Sequence, residues 1–478
     1  MGIIFLAIAI FRLTLVDRGL MYWWDDRMHW FSMRMWSDVA SGDWADFLKT
    51  PFHPKIQGRP LWILLNMVPA GLQVIWFLIR GLKTETPASL HIVGIYNVFL
   101  SMVVVILFWL IAKKLLRSRM SALVATIVYA FLANSTINVR HMYPIYSSLI
   151  LYISSLLILL RPGAFTWKQV ILSGIIAGLG QLTYASYFLF PIFNLVVLAY
   201  RHIRLRIIGG FCLGYMAPIL IFELWARAVR TSIYASISKD PGLNPSFAEA
   251  LWFLPTYLIQ AEGLMGIVLV ILTGLLIGLS LTRIIKRQPL SLATVLGLAG
   301  LIAYIAFAVS SIWHHRIYAR VIHIYILFLI LGIAGVMEFV SKQKRYWLFL
   351  FWGIVSIYSV YSWGGDFINL NYPLDTKFKI CGTYYRCPDT VMEVDENDTQ
   401  LTRVIPDKTQ FILVNTIYMF PKAQTANLFV PPNNFRLISD SIHPLNFIPY
   451  QLEGYNPQEI NWLRQYRYTV RVYQKIGQ

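Results

Sequence analysis

Charge is scarce in this sequence. Only 13% of residues are Asp, Glu, Lys or Arg, about half the ~25% of a typical soluble domain, while 57% are hydrophobic. Apolar runs of about twenty residues recur from the N-terminus to about residue 363. That pattern excludes a soluble globular protein and predicts a polytopic helical membrane protein. No Walker or dinucleotide fingerprint occurs, which argues against a nucleotide-driven pump. No solenoid-type repeat is evident. No small-residue cleavage site follows the first apolar segment, 2–16, so it reads as an anchor rather than a cleaved leader.

Cysteine is almost missing, with three in the chain. Cys212 lies in an apolar run and reads as a small core residue. Cys381 and Cys387 can close a short disulfide loop, which needs an oxidising compartment. A zinc site would need two further ligands, and the neighbourhood offers none.

The net charge of +18 is unevenly spread. From Asp366 onward Lys and Arg balance Asp and Glu at 11 each, leaving 30 against 12 in the membrane part. Spans are expected at 2–16, 91–112, 122–139, 143–160, 170–183, 186–200, 207–225, 263–281, 290–311, 321–340 and 346–363. Basic connections fall at every second crossing: Lys113 to Arg119, Arg161 and Lys168, Arg201 to Arg206, Arg283 to Arg287, and Lys342 to Arg345. The positive-inside rule puts them all in the cytoplasm. The excess therefore reports topology rather than nucleic-acid binding. Sixteen Trp, 27 Tyr and 29 Phe supply interfacial belts.

Segment 61–79 is apolar and long enough to span, but Pro60 and Pro69 weaken a straight helix there. If it lies along the outer face, about eleven spans result. The expectation is then an α-helical membrane domain over 1–363, with a first outer loop at 17–90. A small extracytoplasmic α/β domain follows at 364–478, with strands at 410–415 and 468–473 and a helix near 457–465.

The first outer loop carries the most distinctive residues. Asp25-Asp26-Arg27-Met28-His29 comes first, then an amphipathic stretch over 30–39, then Gly42-Asp43-Trp44, then Gly58-Arg59-Pro60-Leu61. Unpaired carboxylates are hardly ever buried, so the acidic pair reads as a catalytic base, an ion site or a solvated loop. Further outer clusters are Arg140-His141-Met142-Tyr143 and Trp313-His314-His315-Arg316-Ile317-Tyr318-Ala319-Arg320. Adjacent histidines point apart on a helix, which disfavours a metal site at His314 and His315. Glu223 and Glu262 flank the outer loop 227–257 and read as interfacial carboxylates.

This succession resembles the lipid-phosphosugar-dependent glycosyltransferases of the C superfamily. That superfamily includes protein O-mannosyltransferases, lipid A aminoarabinose transferases and bacterial glucosyltransferases that decorate surface polysaccharide. In those families an acidic pair opens the first extracytoplasmic loop and a Lys/Arg-Pro-Pro or Gly-Arg-Pro segment closes it. An Arg-Tyr motif lies in the late outer loop. Here Asp26 stands where the commonest version has Glu, and Arg59-Pro60-Leu61 has one proline rather than two. The likeness covers the membrane part in outline, through about residue 340.

The resemblance implies transfer of a sugar from a polyprenyl-phosphate donor to an acceptor hydroxyl on the extracytoplasmic face of a bacterial inner or plasma membrane. It makes Asp25 the base and Asp26 a residue that orients acceptor or sugar. Such transfer needs a proton acceptor and cations at the phosphate leaving group; Arg59, Arg140, Arg316 and Arg320 are the candidates. His29, Trp44, His315 and Tyr318 are expected to line the substrate. The implied partners are the lipid-linked sugar, an acceptor lipid, glycan or protein, and membrane lipids, with no nucleic acid. A phosphate leaving group demands no cofactor, and metal dependence stays open. The competing readings are a polymerase or ligase using polyprenyl-diphosphate oligosaccharides, and a transporter or flippase.

Overall fold

The computed structural model describes residues 2–16, 28–56, 58–81, 87–201, 205–233, 246–311, 319–339 and 342–369 of the membrane part. In the tail it describes 380–381, 387–394, 405–415, 429–444, 447–452, 460–461, 464–465 and 467–476. The chain is mostly helical. An N-terminal helix, α1 (Gly2–Val16), precedes α2 (His29–Ser41), α3 (Trp44–Lys49) and α4 (Pro60–Arg80). The bundle continues with α5 (Pro87–Leu115), α6 (Arg119–Phe131), α7 (Ala133–Thr136), α8 (Ile145–Leu159), α9 (Trp167–Thr183) and α10 (Pro191–Tyr200). It ends with α11 (Leu205–Ala228), α12 (Phe247–Ala261), α13 (Gly263–Ile285), α14 (Leu292–Ser311), α15 (His323–Met337) and α16 (Lys342–Asn369). Among the described residues six helices are long and apolar enough to cross a membrane, or seven if the bent α6–α7 pair counts as one.

α15 sits at the centre. Every residue from His323 to Met337 is buried, which accounts for a helix that is apolar on all sides. α14 meets it through glycine. A Cβ at Gly332 would fall 2.5 Å from the Gly297 Cα, so the backbones touch as small-residue seams allow. Gly332→Ala is expected to destabilise by roughly 1–3 kcal/mol, because the backbone of α14 must move. Gly353→Ala on α16 meets open space and should be neutral or stabilising through helix propensity. Thermal unfolding in detergent reads both; equal midpoints would remove the seam.

The expected single span 122–139 is broken, a correction with a local cause. α6 and the segment Ala133–Arg140 meet at 74°. Leu132 is extended at the break. The run Asn134-Ser135-Thr136 competes for the carbonyls that α6 would need to continue. Ser135 Oγ donates to the Tyr129 carbonyl at 2.5 Å, and Thr136 Oγ1 to that of Ala130 at 3.2 Å. The span expected at 186–200 likewise opens with a 3-10 turn, Ala185–Tyr187, and its α-helix begins at Pro191, whose missing N–H costs nothing in a first turn.

The two ends of the bundle differ. At one end Glu338, just after α15, accepts the amides of Arg117 (3.1 Å) and Ser118 (2.8 Å). Arg283 stacks on Phe339 there, 3.4 Å from the ring centre. Arg201 donates to the carbonyls of Leu159 and Arg161, both at 3.1 Å. Basic connections thus gather at the Glu338 end. The opposite end carries Arg320, Tyr143 and His141.

α4 is a continuous helix through Pro69, with Pro60 in its first turn. Its length and composition qualify it to cross. Arg59, just before it, lies against Tyr143 and Tyr184. Its far end joins α5 within a few residues, and Asn97 in the first half of α5 donates to the His141 carbonyl at 2.6 Å. α2 folds back on α4: Trp36 Nε1 donates to the Met67 carbonyl (2.8 Å) and Ser32 Oγ to that of Ile63 (2.9 Å).

The tail forms a four-stranded sheet of β1 (Val391–Val394), β2 (Phe411–Asn415), β3 (Phe435–Pro444) and β4 (Arg467–Lys475), in the order β1-β2-β4-β3. β1 and β2 are parallel; the other pairs are antiparallel. β2 and β4 match the expected strands. β1 is only four residues, and β3 is an edge strand with little apolar pattern. The helix expected at 457–465 falls largely outside the described residues. Cys381 and Cys387 are joined as a disulfide and pack with Val391, Leu413, Val470 and Val472. The tail meets the membrane part at the Arg320 end, through Phe447 on Phe367 (4.9 Å) and Arg464 on Gln260.

Candidate functional site

Arg59 and Arg320, 261 positions apart, converge on one aromatic ring. Gly58 takes the left-handed conformation, φ 74°, which turns the chain just before Arg59 and the start of α4. The Arg59 side chain is nearly buried, at 5% exposure. Its guanidinium carbon lies 5.1 Å from the Tyr143 ring centre and 5.2 Å from that of Tyr184. Arg320 approaches the same Tyr143 ring at 4.5 Å. Tyr184 meets Tyr143 edge-on at 5.5 Å and Tyr187 at 4.7 Å. The Tyr187 hydroxyl donates to the Arg320 carbonyl at 3.1 Å.

The electrostatics of this pair are informative. Two guanidinium cations lie beside one ring, each cation–π contact contributing roughly 0.5–2 kcal/mol, and an anion placed near them would be attracted by both. The site is chemically suited to an anion held beside aromatic faces.

The acidic pair, Asp25 and Asp26, lies outside the described residues, as do His315, Arg316 and Tyr318. Met28, two residues after Asp26, meets the site: Arg59 Nη1 donates to its Sδ at 3.6 Å.

His29 is fully buried in the α2–α4 hairpin. Asn66 Nδ2 donates to its Nδ1, and its Nε2 bonds Gln73 Oε1, both at 2.8 Å. That pairing turns the ring toward α4. Trp44 opens α3 behind an Asp43 N-cap and is 59% exposed. Arg34 pairs with Asp46 at 2.6 Å, while burial raises the Asp38 carboxyl against the pull of Arg34. Arg140 is buried, but its described contacts run to α16, with Nη1 donating to the Phe367 carbonyl at 2.8 Å and the guanidinium over the Phe367 ring.

Tyr184 and Tyr187 are site residues that sequence reasoning did not single out. Their signal was an aromatic pair in an uncharged connection on the same side as Arg140 and Arg320. Glu262 also departs from expectation. It is 1% exposed rather than interfacial, and its oxygens accept the amides of Ala133 (2.8 Å) and Asn134 (2.9 Å). Among the described residues no group of three or more His, Cys, Asp or Glu is placed to hold a metal ion.

No protein-family model, curated protein or solved structure matches this chain.

Proposed function

We propose that this protein is an integral-membrane glycosyltransferase that moves a sugar from a polyprenyl-phosphate donor to an acceptor hydroxyl on the extracytoplasmic face. The observation that carries the reading is the convergence of Arg59 and Arg320 on Tyr143, next to Met28. The acidic pair sits two and three residues before Met28 in the chain, and a chain reaches at most about 3.6 Å per residue. The reading assigns Asp25 and Asp26 to the same site on this closeness in sequence.

In this reading Arg59 and Arg320 seat the donor phosphate, with Arg316 as a further ligand from the same loop. Asp25 takes the proton of the acceptor hydroxyl as its oxygen attacks the anomeric carbon. The bond from that carbon to the phosphate oxygen breaks, and its electron pair leaves on the polyprenyl phosphate. The arginines stabilise the charge gathering there. Asp26 orients the acceptor or the sugar.

Eleven crossings and an extracytoplasmic Arg320 end complete the proposal. The gathering of basic connections at the Glu338 end supports it through the positive-inside rule. Cysteines introduced at Asp43 and Asn433, in a background lacking Cys212, should label with an impermeant maleimide from one side. A cysteine at Lys286 should label from the other. Opposite sides for Asp43 and Asn433 would mean that α4 crosses.

The decisive experiment is incubation of the purified protein with a panel of radiolabelled polyprenyl-phosphate sugars and membrane acceptors. Transfer from at least one monophosphate donor is expected. Transfer only from diphosphate-linked oligosaccharides would instead identify a polymerase or ligase. One observation favours a transporter: the broken span beside buried Arg12 has the irregular, charge-lined character of transport pathways. Movement of intact lipid-linked sugar across proteoliposomes, without transfer, would establish that reading.

A further inference from the structure

The break between α6 and α7 is held by two opposite charges from elsewhere in the chain. On its α6 side Arg12, 1% exposed, donates from Nη2 to the Ala130 carbonyl at 2.9 Å and to Ser135 Oγ at 3.3 Å. On its α7 side Glu262 accepts the amides of Ala133 and Asn134. Each charge has the sign that the helix terminus it meets prefers, a cation at carbonyls and an anion at amides. Burying either group is costly unless it is hydrogen-bonded, so neither is there as incidental packing.

What the break displays is Asn134. With its backbone amide fixed by Glu262, its side-chain Nδ2 donates to the Ala319 carbonyl at 2.8 Å. The next carbonyl, of Arg320, receives the Tyr187 hydroxyl. Two consecutive carbonyls are thus pinned from two helical segments, and the side chain between them is the one that reaches the Tyr143 ring shared with Arg59.

We propose that Glu262 is a positioning residue for the Arg59–Arg320 seat, acting through Asn134 to hold the backbone from which Arg320 extends. The inference rests on the reading of those arginines as a phosphate site. It adds an element that no local motif indicates, since residues 134, 262 and 320 belong to three separate parts of the chain. Ser359 Oγ donates to the Glu262 carbonyl at 2.7 Å, which ties the same junction to α16.

The test measures binding of a short alkyl monophosphate to the full-length protein in detergent, with an alkyl glucoside as the uncharged control. Arg320→Ala should weaken phosphate binding at least tenfold. Glu262→Gln, which presents a donor where an amide must be accepted, and Asn134→Ala should each weaken it about fivefold, the scale of one lost hydrogen bond. In an Arg320→Ala background neither change should weaken binding further. That last readout separates positioning from damage to the fold, which would lower binding in any background.

If Arg320→Ala binds phosphate as the unaltered protein does, the seat itself is misassigned. If Arg320→Ala loses binding while Asn134→Ala and Glu262→Gln keep it, the seat stands and the positioning role is overturned. A further loss in the Arg320→Ala background would also overturn it. Should Glu262→Gln fail to fold, Asn134→Ala carries the same test, because it removes only a side-chain contact.

Discussion

Asp25→Asn should lower sugar transfer by about a hundredfold or more while leaving donor binding intact. The substitution keeps size and hydrogen-bonding capacity and removes only the ability to accept a proton. A role in holding the lipid would instead appear as weaker donor affinity with a smaller change in turnover. The same change at Asp26, proposed to orient rather than deprotonate, should be milder. Single-turnover transfer and equilibrium binding of a polyprenyl-phosphate sugar, measured on both variants, separate these roles. Near-normal turnover of Asp25→Asn would exclude it as the base and move the assignment to Asp26.

Arg59→Ala and Arg320→Ala should each weaken donor binding by roughly 1.5–3 kcal/mol, the worth of a hydrogen bond to a charged group. That corresponds to about ten- to 150-fold in affinity. Lysine at either position should recover only part. A point charge lacks both the planar fork that grips two phosphate oxygens and the flat face that stacks on Tyr143 or Tyr184. Arg140→Ala should cost less in donor binding and more in stability, because its described contacts join it to Phe367 rather than to the seat. Donor affinity and thermal midpoint, measured together on the three variants, rank them. Wild-type affinity in both Arg59→Ala and Arg320→Ala would place the phosphate elsewhere.

The long helices were legible because each carries an apolar run that no soluble segment would sustain, and β2 and β4 because their apolar residues bunch in short runs; α12 (Phe247–Ala261) was not, and fills much of what was read as the outer loop 227–257. The α6–α7 break was legible in principle from Asn134-Ser135-Thr136, a polar run inside an apolar one, but span-counting smooths over it. α4 is harder. Its composition is that of a crossing helix, and the sequence offers only Pro60 and Pro69 against that reading. His29 was read as lining the substrate, and the structure shows it bonded to Asn66 and Gln73. The contrary signal was Asn66 and Gln73, two helical turns apart on one face of α4 and waiting for a buried partner. Arg59 and Arg320 could each be suspected as phosphate ligands from the chain. Their meeting at Tyr143 could not, since no periodicity relates positions so far apart.

The enclosure of α15 has a consequence for how the molecule is made. Its neighbours α6, α13 and α14 are all synthesised before it, and the faces they turn toward it stay uncovered until residues 323–337 arrive. A helix about 10 Å across must enter that space sideways, from between segments already in the bilayer. The arginine at the head of α15 reaches Tyr143 only when that central piece is in place. Assembly of the centre and completion of the proposed seat coincide.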